Sequence, residues 1–384
     1  MTARYTVLGA GMMGSAVAFD LVRHGGAREV LLADIDGEAA RRSAAAIGPE
    51  VKPLRCDVNN PSELRAALEG STVVVSAVSY AVNEAVTRVA IESGVHMVDL
   101  GGNNDVVSRQ LALDREARDR GVTVIPDSGL APGLINILGA SGARQFDRVD
   151  SIQLRVGGLP QHPRPPLNYE IVFSVEGLIN EYVEKATVLR DGAITLIDSM
   201  TELERIGFPE PFGSLEAFTT SGGVSRLPEL LAGRVRSLDY KTIRYPGHCE
   251  KFKTLLDLGF AASEPVVVGG SVRTARELFT QLLRKKLDTG GPDVVLARAT
   301  ITGTRGSREA RLVYEFIDYY DEKNRMTAMM RTTAFPTAII AAMLASGTIA
   351  APGVQTPEAC VPAEPMITAL NARAIHISTT LTEL

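Results

Sequence analysis

Apolar positions recur along this chain in two different ways, and the change falls near residue 149. Over residues 1–125, short apolar runs lie at 5–8, 30–33, 51–55, 72–78, 95–100 and 122–126. Between them apolar residues recur every three or four positions, predicting helices over 12–24, 37–46, 61–69, 81–93 and 105–120. Strands alternating with helices predict a parallel sheet with crossover helices. Pro61-Ser62-Glu63 reads as a helix start, and Gly94 and Gly121 as stops. A rigid Pro/Gly-rich connection, Pro126 to Gly133, precedes a helix over 134–144. Strand-like runs at 151–159, 241–245, 294–303 and 311–320 then predict a mostly antiparallel sheet, interrupted by helices near 174–184 and 271–288. From 326 the pattern is helical and apolar, and Pro336 predicts a kink there or the helix's effective start. This last helix is expected to return to the first domain.

The first strand–helix–strand unit carries chemistry. Its turn reads Gly9-Ala10-Gly11-Met12-Met13-Gly14, and the second strand ends on Asp34. Glycines at this spacing, with a strand before, a helix after and an acid closing the next strand, predict a Rossmann-type doubly wound dinucleotide-binding domain. Gly9 permits the tight turn, Gly11 admits a pyrophosphate against backbone N–H groups, and Gly14 lets helix and strand pack closely. Met12 and Met13 open the helix whose positive end faces the phosphates. The Asp34 carboxylate accepts ribose hydroxyls and repels a 2′-phosphate, so NAD is expected rather than NADP. Arg41 and Arg42 are placed on the solvated face of the next helix. Ligands of open α/β sheets bind beyond the carboxyl ends of the strands. Asp57 and Val58 are therefore expected to edge the adenine, and Ala77, Ser79, Asn83 and Gly101 to lie near the nicotinamide end. Asp57 reads equally as a turn or cap residue.

Composition narrows the classes of partner. The chain has 384 residues, too many for one core, so two domains are the default. A net charge of −5 argues against nucleic acid or an anionic membrane as main partner. No membrane span is expected, because the apolar runs look shorter than the ~20 residues needed. The start, MTARYTVLG, runs straight into a strand and leaves no room for a signal peptide. The three cysteines, Cys56, Cys249 and Cys360, form no CxxC pair. They predict a reducing, cytoplasmic setting and no structural metal.

The segments VLGAGMMG, HMVDLGG, IPDSGLAPGLINIL, EAFTTSGG and KTIRYPGHCEKFK together resemble the saccharopine dehydrogenase-like family, and within it the branch that oxidises L-lysine with NAD. The resemblance covers essentially the whole chain. It implies a dinucleotide-binding domain over 1–130, an inserted α/β substrate domain on a mostly antiparallel sheet over 131–330, and carboxyl-terminal helices over 331–384 that return to the first domain. It implies a homo-oligomer, specifically a dimer, and a small amino-acid substrate. The implied reaction is oxidative deamination of lysine's ε-amine, giving aminoadipate semialdehyde, which cyclises to a piperideine carboxylate, with NADH and ammonia. A saccharopine-type reductase and a non-catalytic NAD-sensing protein are the alternatives.

The resemblance assigns Arg244 to a substrate carboxylate, a task that suits a planar guanidinium fork; an ordinary surface arginine is the bland alternative. Asp127, at a strand's carboxyl end, suits a proton acceptor or a water-orienting group, or else it holds the turn. His248 suits a base of ordinary pKa near 6.5, against lysine's ~10.4; structurally it would bond the following turn. Tyr169, Glu176, Thr220 and Ser221 are candidates for the amino-acid pocket, with Glu176 on the α-ammonium. Cys249 reads as packing, because hydride transfer needs no thiol.

Overall fold

The computed structural model describes residues 3–384. They form two compact units: residues up to Ser141 with Ser225–Leu227 and Met330–Ile377, and Gly142–Val224 with Pro228–Met329 and Ser378–Leu384. The second is thus inserted into the first.

The first unit is built on six strands, β1 (Ala3–Leu8), β2 (Ala27–Asp34), β3 (Val51–Arg55), β4 (Val73–Ser76), β5 (His96–Asp99) and β6 (Thr123–Ile125), with a short strand at Gly353–Val354. All pair in parallel, in the order β3-β2-β1-β4-β5-β6 with Gly353–Val354 outermost. This is the doubly wound order, which reverses between β1 and β4. Val73, Val74 and Val75 of β4 are wholly buried, as a central parallel strand covered on both faces requires. Pro53 sits on β3, the edge strand, where its missing N–H costs no ladder bond in the sheet interior.

The connecting helices are α1 (Met12–Arg23), α2 (Gly37–Ile47), α3 (Pro61–Leu68), α4 (Asn83–Ser93), α5 (Asn104–Leu111), α6 (Asp114–Asp119) and α7 (Leu134–Ala143). Asn60 caps α3 ahead of Pro61, and Gly94 closes α4 in the left-handed conformation. The helix expected over 105–120 is two helices, α5 and α6, separated at Ala112-Leu113.

In the second unit the strands are β7 (Arg148–Pro160), β8 (Ala186–Arg190), β9 (Ala193–Ile197), β10 (Glu204–Phe208), β11 (Gly213–Thr219), β12 (Val235–Arg244), β13 (Pro265–Val268), β14 (Ser271–Thr274), β15 (Asp293–Arg305) and β16 (Arg308–Tyr319). The main sheet runs β10-β11-β12-β7-β15-β16, followed by a last strand, Ser378–Glu383. Only β12 and β7 pair in parallel, so the sheet is mostly antiparallel. That last strand is why residues 378–384 belong with this sheet and not with the preceding helices.

The remaining helices introduced here are α8 (Val175–Val183), α9 (Leu227–Leu231), α10 (His248–Asp257), α11 (Ala275–Leu287) and α12 (Ala328–Ser346). The helix expected over 271–288 begins only at α11: Ser271–Thr274 pairs with Pro265–Val268 across Gly269-Gly270, both at positive φ. Thr274 then opens α11 through a capping box with Glu277. Pro336 lies inside α12, which runs through it. By length and composition α12 is apolar enough to cross a membrane, contrary to the expectation that no segment is, yet 72% of it is buried inside the protein.

Candidate functional site

The glycine turn of the first unit has the form its spacing predicts. Gly9 has φ +98°, and its N–H donates to the Ala33 carbonyl at 2.7 Å. A Cβ on Gly9 would stand 2.6 Å from the Ala77 carbonyl oxygen, and one on Gly14 only 1.8 Å from the Gly9 carbonyl oxygen. Gly11 is the opposite case, for nothing lies within 4 Å of where its Cβ would be. This open space is the one a pyrophosphate needs. Met12 is 58% exposed, and no side chain caps the first turn of α1, so its N–H groups are available to an anion.

Asp34 closes β2 with both oxygens engaged by backbone: Oδ2 accepts from Ala10 N–H at 2.7 Å and Oδ1 from Asp36 N–H at 2.9 Å. Each oxygen keeps lone-pair capacity for a ribose hydroxyl. Arg41 is ion-paired with Glu38 at 2.5 Å, and Arg42 faces Asp36 at 3.8 Å. The residues present fit a dinucleotide.

Other expected cofactor residues serve the scaffold. The Asp57 carboxylate bonds Asn59 within its own turn, while Val58 packs on the first unit's core. Ser79 caps the turn at Tyr80–Val82. Asn83 is buried and accepts from the Ser76 hydroxyl at 2.8 Å, so it fixes the end of β4 and is not presented as a free side chain.

Beyond β5 and β6 two aspartates are buried together. Asp99 accepts from Gly101 N–H at 2.7 Å, Asp127 N–H at 3.2 Å and Gln110 Nε2 at 2.7 Å. Asp127 sits at φ +55° and accepts the Ser225 hydroxyl, while its Oδ1 has no partner among the described residues. Any side chain at Gly101 would collide with that oxygen. Burial, reinforced by the charges of Asp99 and Glu358, pushes the Asp127 carboxyl up to about 7.

A carboxyl raised in this way binds its proton more tightly folded than unfolded. Its stabilising contribution is present below the ordinary Asp range and is lost as pH rises from about 4 to about 7. Asp127→Asn is therefore expected to be more stable than wild type at pH ~8, by on the order of 2–4 kcal/mol, and close to it at pH ~4. Denaturant titrations at the two values check this; a difference independent of pH contradicts it.

The second unit buries a guanidinium among rings. Arg244, the last residue of β12, is 2% exposed. Its Nε donates to the Tyr182 hydroxyl at 2.9 Å and its Nη1 to the Ile243 carbonyl at 2.9 Å, and its Cζ lies 4.6 Å from the Tyr169 ring centre. Its Nη2 has no hydrogen-bond partner among the described residues. Glu216, opposite Arg244 in the β11–β12 register, is no counterion, because it accepts from Gly247 and Cys249 N–H at the start of α10. The other buried cations of this unit are matched: Arg155 by Glu204 and Asp239, Lys241 by Glu204.

His248 joins this cluster but in another role than expected. Its Nδ1 pairs with the Leu167 carbonyl at 3.0 Å and its Nε2 with the Tyr182 hydroxyl at 3.1 Å. A carbonyl only accepts, so Nδ1 carries the proton and Nε2 accepts from Tyr182. Burial, helped by the Arg244 charge, lowers His248 to about 3. It is neutral at physiological pH, has no free nitrogen, and is not the base of ordinary pKa that its sequence position implied. It holds the Tyr182 hydroxyl, which in turn holds Arg244.

Thr220 shares a hydroxyl–hydroxyl contact with Thr242 at 2.8 Å, and Ser221 N–H donates to the Glu181 carbonyl at 3.0 Å. Glu176 does not join them; it is exposed and ion-paired with Arg284 at 3.1 Å. Glu181, five residues on, was missed. It is half-buried, forms no hydrogen bond through its carboxylate with a described residue, and is raised to about 7 by burial against the pull of Arg244. The signal was in the helical period: Glu181 follows Leu178 by three, on the edge of the buried stripe Val175, Leu178, Ile179 and Tyr182. Cys249 is buried and packs against this unit's core, as read from the sequence. Among the described residues no group of three or more His, Cys, Asp or Glu is placed to hold a metal ion.

A doubly wound sheet with this cradle at its switch point defines the class, a Rossmann-type dinucleotide-binding protein. Residues 5–125 match the saccharopine dehydrogenase NADP binding domain and residues 129–375 the saccharopine dehydrogenase C-terminal domain. The chain belongs to the saccharopine dehydrogenase family. It is 23% identical over 235 residues to the saccharopine dehydrogenase [NADP(+), L-glutamate-forming] of Pyricularia oryzae, covering 59% of this chain and 51% of that protein. It is 22% identical over 448 residues to the mitochondrial alpha-aminoadipic semialdehyde synthase of Mus musculus, covering 97% of this chain and 47% of that one. The chain thus spans about half the length of these curated relatives. In fold it is similar to the apo saccharopine dehydrogenase (L-Glu forming) of Saccharomyces cerevisiae, with a TM-score of 0.82, 18% identity, and coverage of 99% of this chain and 100% of that one.

Proposed function

We propose that this protein is a pyridine-nucleotide oxidoreductase acting on the C–N bond of a lysine-derived amino acid, and specifically that it deaminates the ε-carbon of L-lysine with NAD. The observation that carries this reading is Arg244. It is the one described buried cation of its unit without a carboxylate partner, which leaves it for a substrate carboxylate. When bound, the nicotinamide supplies the hydride acceptor. The chain's own residues bind and orient: Arg244 takes the carboxylate, and Tyr182 and His248 hold the guanidinium in place. Asp127, with a carboxyl near 7 and an unpartnered oxygen, is the first unit's group suited to accept a proton. The oxidised ε-carbon is hydrolysed to the aldehyde, and ammonia leaves.

A second reading, a saccharopine-type dehydrogenase, is supported by the names of the relatives in Pyricularia and Saccharomyces. Saccharopine carries three carboxylates, and a single unmatched buried cation suits it less well than lysine. Reduced-cofactor formation over L-lysine, L-ornithine and saccharopine, each with NAD and NADP, separates the two. Turnover of lysine with NAD is expected; turnover of saccharopine alone overturns the specific reading, and dinucleotide binding with no turnover overturns both.

NAD is proposed over NADP because Asp34 ends β2 with an unneutralised carboxylate, while Arg41 and Arg42 are already paired with Glu38 and Asp36. Asp34→Ser is expected to raise the NADP/NAD ratio of kcat/KM at least about tenfold. A wild-type enzyme that already prefers NADP contradicts the role given to Asp34.

A further inference from the structure

We propose that Glu181 is the anionic half of the amino-acid site, taking the α-ammonium of the substrate whose α-carboxylate Arg244 holds. This rests on the reading of Arg244 above and adds to it a specificity-determining residue, one that separates an α-amino acid from an amino carboxylate lacking the α-ammonium. Three features bear on the residue. Glu181 adjoins Tyr182 in the sequence, and the Tyr182 hydroxyl is the partner of Arg244 Nε at 2.9 Å. Glu181 feels the Arg244 charge, yet no direct ion pair joins the two among the described residues, so neither is spent on the other; burial raises the Glu181 carboxyl, and a bound ammonium would hold it ionised. The backbone carbonyl of Glu181 accepts Ser221 N–H at 3.0 Å, fixing the Thr220-Ser221 loop against the same turn.

The position also suits a cation on electrostatic grounds. Glu181 lies in the last turn of α8, where the helix dipole is negative and favours an ammonium group. The neighbouring anion Glu184 is exposed and is contacted by the Ser221 hydroxyl at 3.5 Å. Glu176, the acid first expected to serve the α-ammonium, is neutralised by Arg284 on the surface.

The test compares L-lysine with ε-aminocaproate, which keeps the carboxylate and the ε-amine but lacks the α-ammonium. Wild type is expected to favour lysine by about 100-fold in kcat/KM, the scale of a charge-assisted bond at a desolvated site. In Glu181→Gln the lysine KM rises by about 30- to 100-fold, ε-aminocaproate changes by less than about threefold, and the preference collapses. Glutamine is isosteric, and the carboxylate bonds no described residue, so the fold is expected to hold; Glu181→Asp restores part of the preference. Equal losses for both compounds, or an unchanged lysine KM, overturn the proposal. If wild type oxidises neither, the lysine reaction fails, and Glu181 is judged by calorimetry of the full chain with L-glutamate against glutarate. Discrimination in wild type that Glu181→Gln abolishes then supports it, and no discrimination in wild type overturns it.

Discussion

Arg244→Met is expected to lower kcat/KM for the amino-acid substrate by roughly two to three orders of magnitude. Truncating one partner of a buried, hydrogen-bonded charge pair costs about 2–5 kcal/mol, and each ~1.4 kcal/mol is a factor of ten. Most of the loss should appear in KM, because the carboxylate is held alike in ground and transition states. Methionine retains the stem against the Tyr169 and Tyr182 rings, so the cluster keeps its packing. Arg244→Lys should recover little: a point charge replaces a fork that now donates at once to Tyr182 and to the Ile243 carbonyl. Steady-state kinetics of the two variants check this, and an unchanged KM in Arg244→Met removes the residue from the site. The positioning chain adds a finer expectation. His248, proton on Nδ1, holds the Tyr182 hydroxyl and titrates only near 3, so an inflection of the pH profile near 7 belongs to Asp127 and should be lost in Asp127→Asn.

The largest expected effect on stability lies in the first unit, far in sequence from the glycine turn. Asp20 on α1 is fully buried and accepts from Arg373 Nε at 2.6 Å and Nη2 at 2.8 Å, a bidentate pair linking α1 to the carboxyl-terminal segment. Arg373→Met leaves the aspartate buried and unpaired, which costs about 3–5 kcal/mol. Asp20 is already raised by burial, with Arg373 opposing the shift, so removing the arginine should raise it further and make the variant least stable at high pH. Replacing both, Asp20→Leu with Arg373→Met, should recover most of the loss, because no charge is then left without a partner. Denaturant unfolding of the three variants checks the pattern. A double variant as unstable as the single one contradicts this account.

What was legible in the sequence was what is local. The glycine turn, Asp34 and the strand–helix alternation declare themselves within some thirty residues, because steric need and helix polarity act over a few positions. The same holds for the long strands: burial alternates with a period of two along β16 and the second half of β15, while β7 ends in a continuous buried run. The short strands β8 to β11 and the hairpin β13–β14 escaped: each is only four to seven residues long, and no alternating helix pattern frames them as it frames the equally short β4 to β6. The site divides in the same way. Arg244 was marked by its motif, but His248 was assigned the chemistry of a solvated imidazole. Its real pKa is set by Leu167, Tyr182 and Arg244, which only the fold brings to it. Glu176 and Glu181 look alike in sequence. One is exposed beside Arg284 and the other half-buried beside Arg244, a distinction made by which face of α8 is covered.

The central claim is that hydride leaves the carbon bearing lysine's ε-amine and reaches a nicotinamide on the chain itself. The most direct measurement is mass spectrometry of the reduced cofactor after incubation with L-lysine deuterated at Cε. One deuterium is expected on the nicotinamide ring of NADH, with ammonia and aldehyde formed in equal amounts. Unlabelled reduced cofactor, or label transferred only when lysine is supplied as its saccharopine adduct, would contradict it.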